Sequence, residues 1–239
     1  MISLVNITDE FKADNIYLLK IKSNSLVYKN QDFCKTAEQK QDTKTTAFIN
    51  ILNNSATVFC FADADVEEID AYLKFSCVEN VFCNETFALK SQNYLISSGV
   101  LLKCSDKEPG EKIYEKTFCP DYKSVYNLIS NEFSLPEYNE FVSDFSCRLN
   151  HNLARIIQTE NGVVFTAWED EKSAIISAIA VYITKRAKGE GSALLKSMVF
   201  DLKQDKKNDI FIYTQENITP FYLKNGFEIC ENIFIGKVK

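Results

Sequence analysis

The sequence predicts an α+β fold, in which a mixed, mostly antiparallel sheet is flanked by helices and preceded by an N-terminal α/β accessory domain. Three observations lead to this prediction. Successive β-rich runs between Leu153 and Ile183 are joined by short turns, which is typical of an antiparallel meander. A strand-helix-strand pattern follows, ending at Tyr213. A Pro-Gly turn in the charged run Cys104–Lys112 separates this part of the chain from the first part.

The domain boundary is predicted at this charged run, with a first domain at 1–105 and a second at 111–239. Within the first domain, Lys29–Thr46 has no hydrophobic period and predicts a long loop. Other runs of the first domain repeat the strand-helix-strand order of the second, at Thr57–Phe61, Val66–Phe75 and Val81–Asn84. Two interpretations therefore stand: a degenerate copy of the second domain, or an unrelated α/β accessory domain.

Each element of the second domain follows from its residue pattern. Apolar residues at helical spacing predict helices, alternating residues predict strands, and glycine-containing turns predict hairpins. The predicted elements are a strand at Lys112–Phe118, helices at Tyr122–Phe133 and Pro136–Leu149, strands at Leu153–Gln158, Val163–Trp168 and Ser173–Ile183, a helix at Glu190–Lys203, a strand at Ile210–Tyr213, a short helix from Pro220 that ends at Gly226, and a strand at Phe227–Val238.

Composition excludes several classes of protein. Of the 239 residues, 46% are hydrophobic, which is typical of an ordered globular chain. No apolar run approaches the roughly 20 residues of a membrane-spanning helix, and the N-terminus has no signal-peptide pattern. We therefore expect a cytoplasmic protein without a membrane partner. The net charge of −6 argues against a nucleic-acid partner, which needs a basic face.

The cysteines and the single histidine exclude further classes. The eight cysteines form no C-x-x-C pair, so reduced and mostly buried thiols are expected. Because zinc sites rich in histidine need at least two such residues, His151 alone does not predict a metal site, and no metal is expected. Its polar neighbours indicate a residue at the surface or at a helix end.

The run Arg186–Leu195 carries the main chemical signal. It lies between a strand with a buried pattern and an amphipathic helix, where free backbone N–H groups and the helix dipole favour an anion. Gly189 and Gly191 would let the backbone approach a phosphate closely. The alternative is a tight turn without a ligand. The spacing matches neither a P-loop nor a dinucleotide-binding fingerprint.

This spacing resembles the GNAT superfamily of N-acetyltransferases, in which Arg/Gln-x-x-Gly-x-Gly/Ala joins a V-shaped strand to the next helix. Asn217 and the run Phe221–Phe227 resemble a second conserved segment of the family, and the resemblance covers Lys112–Lys239. It implies acetyl-CoA as co-substrate, bound by Ala180, Val181, Arg186, Ala187, Lys188, Gly189, Glu190, Gly191, Ser192 and Asn217. Three residues depart from the family pattern: Ile183 replaces a frequent proline, Ala187 replaces a frequent glycine, and Glu190 places a carboxylate in the phosphate loop.

The resemblance also implies direct acetyl transfer to an amine, without a covalent enzyme intermediate. Tyr222 matches the tyrosine that commonly protonates the departing thiolate, although an aromatic packed under the last strand is the alternative. The N–H of Val181 is the implied oxyanion donor, where the family's strand bulges away from its neighbour. The strand before the loop lacks the carboxylate of some relatives, so Glu216 is the candidate base, with the turn Glu169–Glu171 as a second candidate.

The implied partners are acetyl-CoA and a primary amine on a small molecule or a peptide. The first domain would then supply a wall of the acceptor site or a homodimer surface. Two alternatives stand beside this enzyme. The missing strand carboxylate and Glu190 would suit a non-catalytic acyl-CoA-binding regulatory module, and an interaction protein would have kept only the fold.

Overall fold

The computed structural model describes residues 1–105, 111–133 and 135–239. The chain forms two compact units, which divide within three of its strands. Unit 1 comprises Met1–Leu101, Thr214–Glu216 and Glu231–Lys239, and unit 2 comprises Leu102–Tyr213 and Asn217–Cys230. The Pro-Gly turn on which the predicted boundary rests lies outside the described residues, so the division at 1–105 and 111–239 stays a prediction.

Unit 1 combines a sheet with three helices. Its elements are β1 (Ile2–Leu4), α1 (Ile16–Val27), β2 (Cys34–Gln41), β3 (Lys44–Leu52), β4 (Ser55–Cys60), α2 (Val66–Phe75), β5 (Asn80–Cys83), α3 (Glu85–Lys90) and most of β6 (Tyr94–Cys104). The neighbour order runs β1-β2-β3-β4-β5 and continues with the C-terminal strand. The pairs β2/β3 and β3/β4 are antiparallel, whereas β4 and β5 are parallel. The core centres on Ile49, Val58, Ile69 and Leu73, each fully buried.

Unit 2 begins with two helices and continues as a meander and a crossover. Its elements are α4 (Tyr122–Ile129), α5 (Tyr138–Asn150), β7 (Ile156–Gln158), β8 (Gly162–Glu169), β9 (Ser173–Val181), a 3-10 turn (Ile183–Lys185), α6 (Glu190–Gln204), β10 (Asp209–Thr214), α7 (Thr219–Lys224) and β11 (Phe227–Val238). The last residue of β10 and the second part of β11 belong to unit 1. The strand order β10-β9-β8-β7 has one parallel pair, β9/β10. Helices α4 and α5 cover the sheet through Ile129, Phe145 and their neighbours.

The predicted fold class is confirmed: the fold is α+β, with mostly antiparallel strand pairs flanked by helices. Unit 1 moreover repeats the element order of unit 2. In each unit, three antiparallel strands are followed by a helix, a parallel strand, a short helix and a further strand. This order agrees with the interpretation of the first half as a degenerate copy of the second.

The loop predicted at Lys29–Thr46 is wrong, because β2 and the start of β3 lie there. Two of the three buried side chains of β2, Thr36 and Gln39, are polar, which is why the run has no hydrophobic period. Gln39 is fully buried, and its amide donates to the Asp65 carbonyl at 2.9 Å and to Glu68 at 2.7 Å. Such internal hydrogen bonds replace the hydrophobic contacts from which a strand is usually predicted.

The strand predicted at Lys112–Phe118 is also wrong, since this segment has no regular secondary structure. Its backbone N–H groups bond a side chain instead of a neighbouring strand. Those of Ile113 and Tyr114 donate to the Ser197 hydroxyl at 3.1 and 3.0 Å. Among the described residues of the segment, Thr117 bonds the Ile156 carbonyl at 2.8 Å, and one such bond does not make a ladder.

All eight cysteines are free thiols, as expected, but only Cys60, Cys83 and Cys104 are buried, so the expectation of mostly buried thiols is wrong. His151 is confirmed as a helix-end residue at the C-cap of α5. No helix in the described part of the chain is long and apolar enough to cross a membrane.

Candidate functional site

The parallel strands β9 and β10 pair only at their first residues. The register runs from Asp209↔Ser173 to Phe211↔Ile175, after which β9 continues to Val181 and β10 to Thr214. Strands that stop pairing while both continue leave backbone groups and space between them. The two strands therefore form the arms of a V that opens at the C-terminal end of β9.

Val181 presents its backbone groups on the open side of this V. It lies opposite Gly162 in the antiparallel pair β8/β9, and the next residue, Tyr182, donates its N–H to the Asn161 carbonyl at 3.0 Å. This pattern makes Val181/Gly162 a non-hydrogen-bonded pair, in which both backbone groups point away from the partner strand. The adjacent Ala180 pairs with Val163, so its backbone groups belong to the β8/β9 ladder.

The bulge expected at Val181 lies elsewhere. The pairing of β8 with β9 skips Ser177 on β9 and Ala167 on β8, whereas the pairing at Val181 is regular. Two bulges on opposite strands restore the register between them. Val181 therefore leaves β10 because the strands diverge, and not because its own strand is irregular.

The predicted phosphate loop is exposed and turns sharply into α6. A 3-10 turn at Ile183–Lys185 follows β9, and Gly189, with φ 89°, is the N-cap of α6. A Cβ atom at Gly189 would meet no atom of the described residues within 4 Å. Ala187 has φ 59°, the left-handed region that glycine adopts most easily, which explains why glycine suits this position.

The geometry of this turn fits an anion. The first N–H groups of α6 have no partner within the helix, and Gly189 provides no side-chain cap for them. The helix dipole adds positive potential at the same place. Arg186 completes the turn, because its Nε donates to the Val181 carbonyl at 2.9 Å and its Nη2 contacts Glu132 Oε1 at 2.5 Å. The guanidinium thus joins the loop to the end of β9.

The carboxylate of Glu190 is held by two hydroxyl groups. Tyr114 Oη donates to one oxygen at 2.9 Å, and Thr159 Oγ1 donates to the other at 3.0 Å. The hydrogen bond to this carboxylate raises the pKa of Tyr114. Glu190 is therefore fixed toward Tyr114 and Thr159, and not left free in the loop.

Helix α7 brings two aromatic side chains to the same end of β9. A Cβ atom at Gly191 would lie 3.5 Å from Phe221 Cζ and 3.8 Å from Val181 Cγ2, so the start of α6, Val181 and Phe221 are in contact. The rings of Phe221 and Tyr222 lie 5.1 Å apart, edge to face. Burial raises the pKa of Tyr222 to about 12, so its hydroxyl keeps its proton at neutral pH.

Other predicted residues lie around this point or in the turn before α7. Lys188 is exposed and Ser192 is half-buried in the first turn of α6. Asn217 is exposed in the turn between β10 and α7. Glu216 is exposed in the same turn and belongs to unit 1.

Glu169, the second candidate for the base, is a structural residue. Instead of being solvated in a turn it is 1% exposed, and it accepts hydrogen bonds from Arg155 Nε at 2.9 Å and Nη2 at 2.7 Å. Thr166 Oγ1 donates at 2.5 Å, and Lys207 Nζ lies 3.8 Å away. Glu169 pairs with Ala174, at the opposite end of β9 from Val181, roughly 20 Å away at the rise of a strand. It therefore cannot act as base beside Tyr222.

Three residues at the loop were missed in the sequence. Glu190 is contacted by Tyr114, 76 residues away, and by Thr159, 31 residues away. Arg186 is contacted by Glu132, 54 residues away. No local pattern marks such contacts. The one signal in the sequence is Glu190 itself, because a carboxylate in a phosphate loop needs hydrogen-bond donors from elsewhere in the chain.

The chain resembles known proteins in its structure but matches none of the family models or curated proteins in sequence. The solved structures that it resembles include a GNAT-family acetyltransferase from Colwellia psychrerythraea, with 9% identity, a TM-score of 0.59 and 100% of both chains covered. A GCN5-related N-acetyltransferase from Sphaerobacter thermophilus is 12% identical, with a TM-score of 0.62 over 95% of this chain and 87% of that one.

A third similar structure agrees with the repeated element order of the two units. It is a tandem GNAT protein from the clavulanic acid biosynthesis pathway, 10% identical, with a TM-score of 0.55 over 100% of this chain and 98% of the other. Similarity at this level of identity defines the fold and not the reaction. The fold, the diverging strand pair and the position of the glycine loop agree with one another: the chain has the fold of the GNAT superfamily of N-acetyltransferases.

Proposed function

We propose that the protein transfers the acetyl group of acetyl-CoA directly to a primary amine of a small-molecule or peptidyl acceptor. The observation that carries the proposal is the divergence of β9 from β10 at the end where the Arg186–Ser192 loop and α6 begin. The opening offers backbone groups to an extended ligand arm, and the loop beside it offers N–H groups to a diphosphate. A ligand with both parts fits this arrangement.

The loop residues would hold the coenzyme. In the proposal the N–H groups from Lys188 to Ser192 bind the pyrophosphate, and Arg186 and Ala187 shape the turn. The Val181 carbonyl, next to Ala180, would accept a hydrogen bond from a pantetheine amide beside the one that it accepts from Arg186. Asn217 would contact the arm from the turn before α7. When bound, acetyl-CoA supplies the acetyl group as an activated thioester.

Tyr222 and Glu216 would handle the protons. Tyr222 keeps its proton at neutral pH because burial raises its pKa to about 12, and such a phenol can donate to a departing thiolate. The N–H of Val181 would stabilise negative charge on the carbonyl oxygen. Glu216 would take a proton from the acceptor ammonium, directly or through water.

The experiment that tests the proposal combines binding with turnover. We expect acetyl-CoA to raise the melting temperature in a concentration-dependent manner. A panel of amines (polyamines, amino acids, aminoglycosides, peptides) is then assayed for thiol release. With the accepted amine, Tyr222→Phe should lower kcat about 100-fold, the usual size of a lost general acid, while leaving the affinity for acetyl-CoA within about twofold.

Tyr72→Phe is the matched control, because it removes a phenolic hydroxyl from α2 in unit 1. Its kcat should equal that of the wild type. Binding of acetyl-CoA without turnover of any amine would favour the non-catalytic regulatory module. No shift of the melting temperature with acetyl-CoA would contradict both functions and leave only the fold.

A second prediction concerns the carboxylate in the loop. Glu190→Gln removes a negative charge from the first turn of α6, so we expect it to lower the Kd for acetyl-CoA about threefold to tenfold. Tyr114→Phe deletes one of the two hydroxyl groups that hold Glu190, so it should raise the Kd about threefold. Titration calorimetry measures both changes.

Glu160→Gln is the control for Glu190→Gln. Glu160 is exposed in the turn between β7 and β8, near Tyr114, so the variant removes the same charge outside the loop. Its Kd should stay within about twofold of the wild type. Equal effects of Glu190→Gln and Glu160→Gln would mean that the position of the carboxylate in the loop has no role.

A further inference from the structure

In unit 1 the strand pair that corresponds to β9/β10 is closed. The parallel strands β4 and β5 stay paired up to Val58↔Cys83, the last residue of β5. Beyond this point the side chain of Asn84 continues the pairing. It accepts from the Cys60 N–H at 3.1 Å and donates to the Cys60 carbonyl at 2.7 Å. No V opens here for an extended arm.

The helix that follows β4 has one of its N-terminal N–H groups occupied by the chain itself. Asp65 is the N-cap of α2, and its carboxylate accepts from the Glu68 N–H at 3.1 Å. The loop before the helix, Phe61–Asp65, contains no glycine and carries a second carboxylate, Asp63. An acidic loop at a capped helix repels the phosphate that the Arg186–Ser192 loop would bind.

A cleft nevertheless lies at this end of β4 and β5. Its volume is about 300 Å³, the small end of the range for ligand sites, so it suits a small molecule. All of its lining residues belong to unit 1. We call it the unit 1 cleft, and its lining includes Tyr17, Phe59, Asn84, Glu85, Glu231 and Phe234.

The unit 1 cleft combines negative charge with aromatic rings. Glu85 and Glu231 line it, and neither makes an ion pair with any described residue. Among the described residues, no lysine or arginine lines the cleft. Partial burial and the neighbouring Glu85 carboxylate raise the pKa of Glu231, so the two carboxylates lie close enough to repel each other. Tyr17 and Phe59, whose rings stack at 5.9 Å, form an apolar wall.

Tyr17 supplies an independent sign that a polar ligand belongs here. The residue is 2% exposed, and its hydroxyl has no hydrogen-bond partner within the described part of the chain. A buried hydroxyl without a partner is unfavourable, because it has lost its hydrogen bonds to water and gained none in the protein. Burial and the nearby Glu231 carboxylate raise the pKa of Tyr17, which places the hydroxyl near an acidic residue of the cleft.

We propose that the unit 1 cleft binds a small organic ammonium ion, of the class of aliphatic diamines and polyamines. An ammonium group donates up to three hydrogen bonds, which the two carboxylates and the Tyr17 hydroxyl oxygen can accept. The aromatic faces of Tyr17, Phe59 and Phe234 attract the same positive charge. The site is distinct from the proposed acetyl-transfer site and binds its ligand in the absence of coenzyme.

The test uses the full chain without coenzyme and putrescine as the probe, at constant ionic strength, in a titration calorimeter. We expect saturable binding at one site in unit 1. Glu231→Gln and Glu85→Gln should each raise the Kd for putrescine about tenfold, the effect of losing a charge-assisted hydrogen bond. Tyr17→Phe should also weaken binding and should not lower the melting temperature, because the hydroxyl that it removes is unpaired.

Two controls separate this site from others. Glu228→Gln changes an exposed glutamate on β11 outside the cleft and should leave the Kd unchanged. Tyr222→Phe should also leave it unchanged, which distinguishes the cleft from an acceptor site beside Tyr222. The neutral isostere 1,4-butanediol should not bind. Equal Kd values for Glu231→Gln and Glu228→Gln, or equal binding of putrescine and 1,4-butanediol, would overturn the proposal.

Discussion

Replacing Glu169 with glutamine is expected to lower the free energy of unfolding of unit 2 by about 3–5 kcal/mol. Glu169 and Arg155 are 1% and 7% exposed and form two hydrogen bonds, so the guanidinium depends on this carboxylate for its charge balance. Asp205 contacts Arg155 at 2.8 Å, but its own side chain is 61% exposed and is screened by water. Glutamine keeps the shape and leaves the buried Arg155 charge with the water-screened Asp205 as its remaining carboxylate partner.

Urea denaturation followed by tryptophan fluorescence measures this loss. Trp168 is the single tryptophan of the chain and precedes Glu169 in β8, so its signal reports unit 2. Glu171→Gln, at an exposed position in the following turn, is the control and should change stability by less than about 0.5 kcal/mol. The double variant Arg155→Met, Glu169→Leu should recover most of the loss, because it removes both charges of the buried pair. If Glu169→Gln unfolds at the same urea concentration as Glu171→Gln, the buried pair does not stabilise unit 2.

Local sequence patterns predict those elements whose buried face is apolar. Helix α2 and strand β11 have the predicted bounds, because hydrophobic spacing and glycine or capping residues mark their ends. Strand β2 could not be recognised, since its buried side chains include Gln39, which bonds residues of α2. The same limit applies to Glu169, whose partner Arg155 is 14 residues away and whose neighbours in sequence are typical of a solvated turn.

In the candidate site, too, local features can be predicted from the sequence and contacts between distant residues cannot. The Arg186–Ser192 loop is contiguous, so the sequence predicts it together with the helix that follows. The geometry around it depends on residues distant in sequence. Strands β9 and β10 diverge after the paired residues Ile175 and Phe211, and Tyr114 donates a hydrogen bond to Glu190. Such contacts form only when the chain folds, and no periodic pattern records them.

Gly189→Glu is expected to abolish the binding of acetyl-CoA, with a loss of affinity of at least about 100-fold. Gly189 is the N-cap of α6, and a side chain there would extend into the open space that the proposed pyrophosphate occupies. A carboxylate at this point would also bond the free N–H groups of the first turn, as Asp65 does in α2. One substitution would thus give the loop the acidic character of its counterpart in unit 1. Titration calorimetry with acetyl-CoA measures the effect.

Two controls separate the causes of that loss. Gly189→Ala keeps the left-handed φ of 89° with only a methyl group, so it isolates the backbone strain of about 1–2 kcal/mol, and its affinity should fall tenfold at most. Gln204→Glu adds the same charge at the other end of α6, roughly 20 Å away by the rise of a helix, and should leave the affinity unchanged. In a folded Gly189→Glu variant, the new carboxylate and a phosphate would compete for the same N–H groups of α6. Undiminished binding of acetyl-CoA by this variant would therefore mean that the coenzyme binds elsewhere, and the proposed reaction would lose its basis.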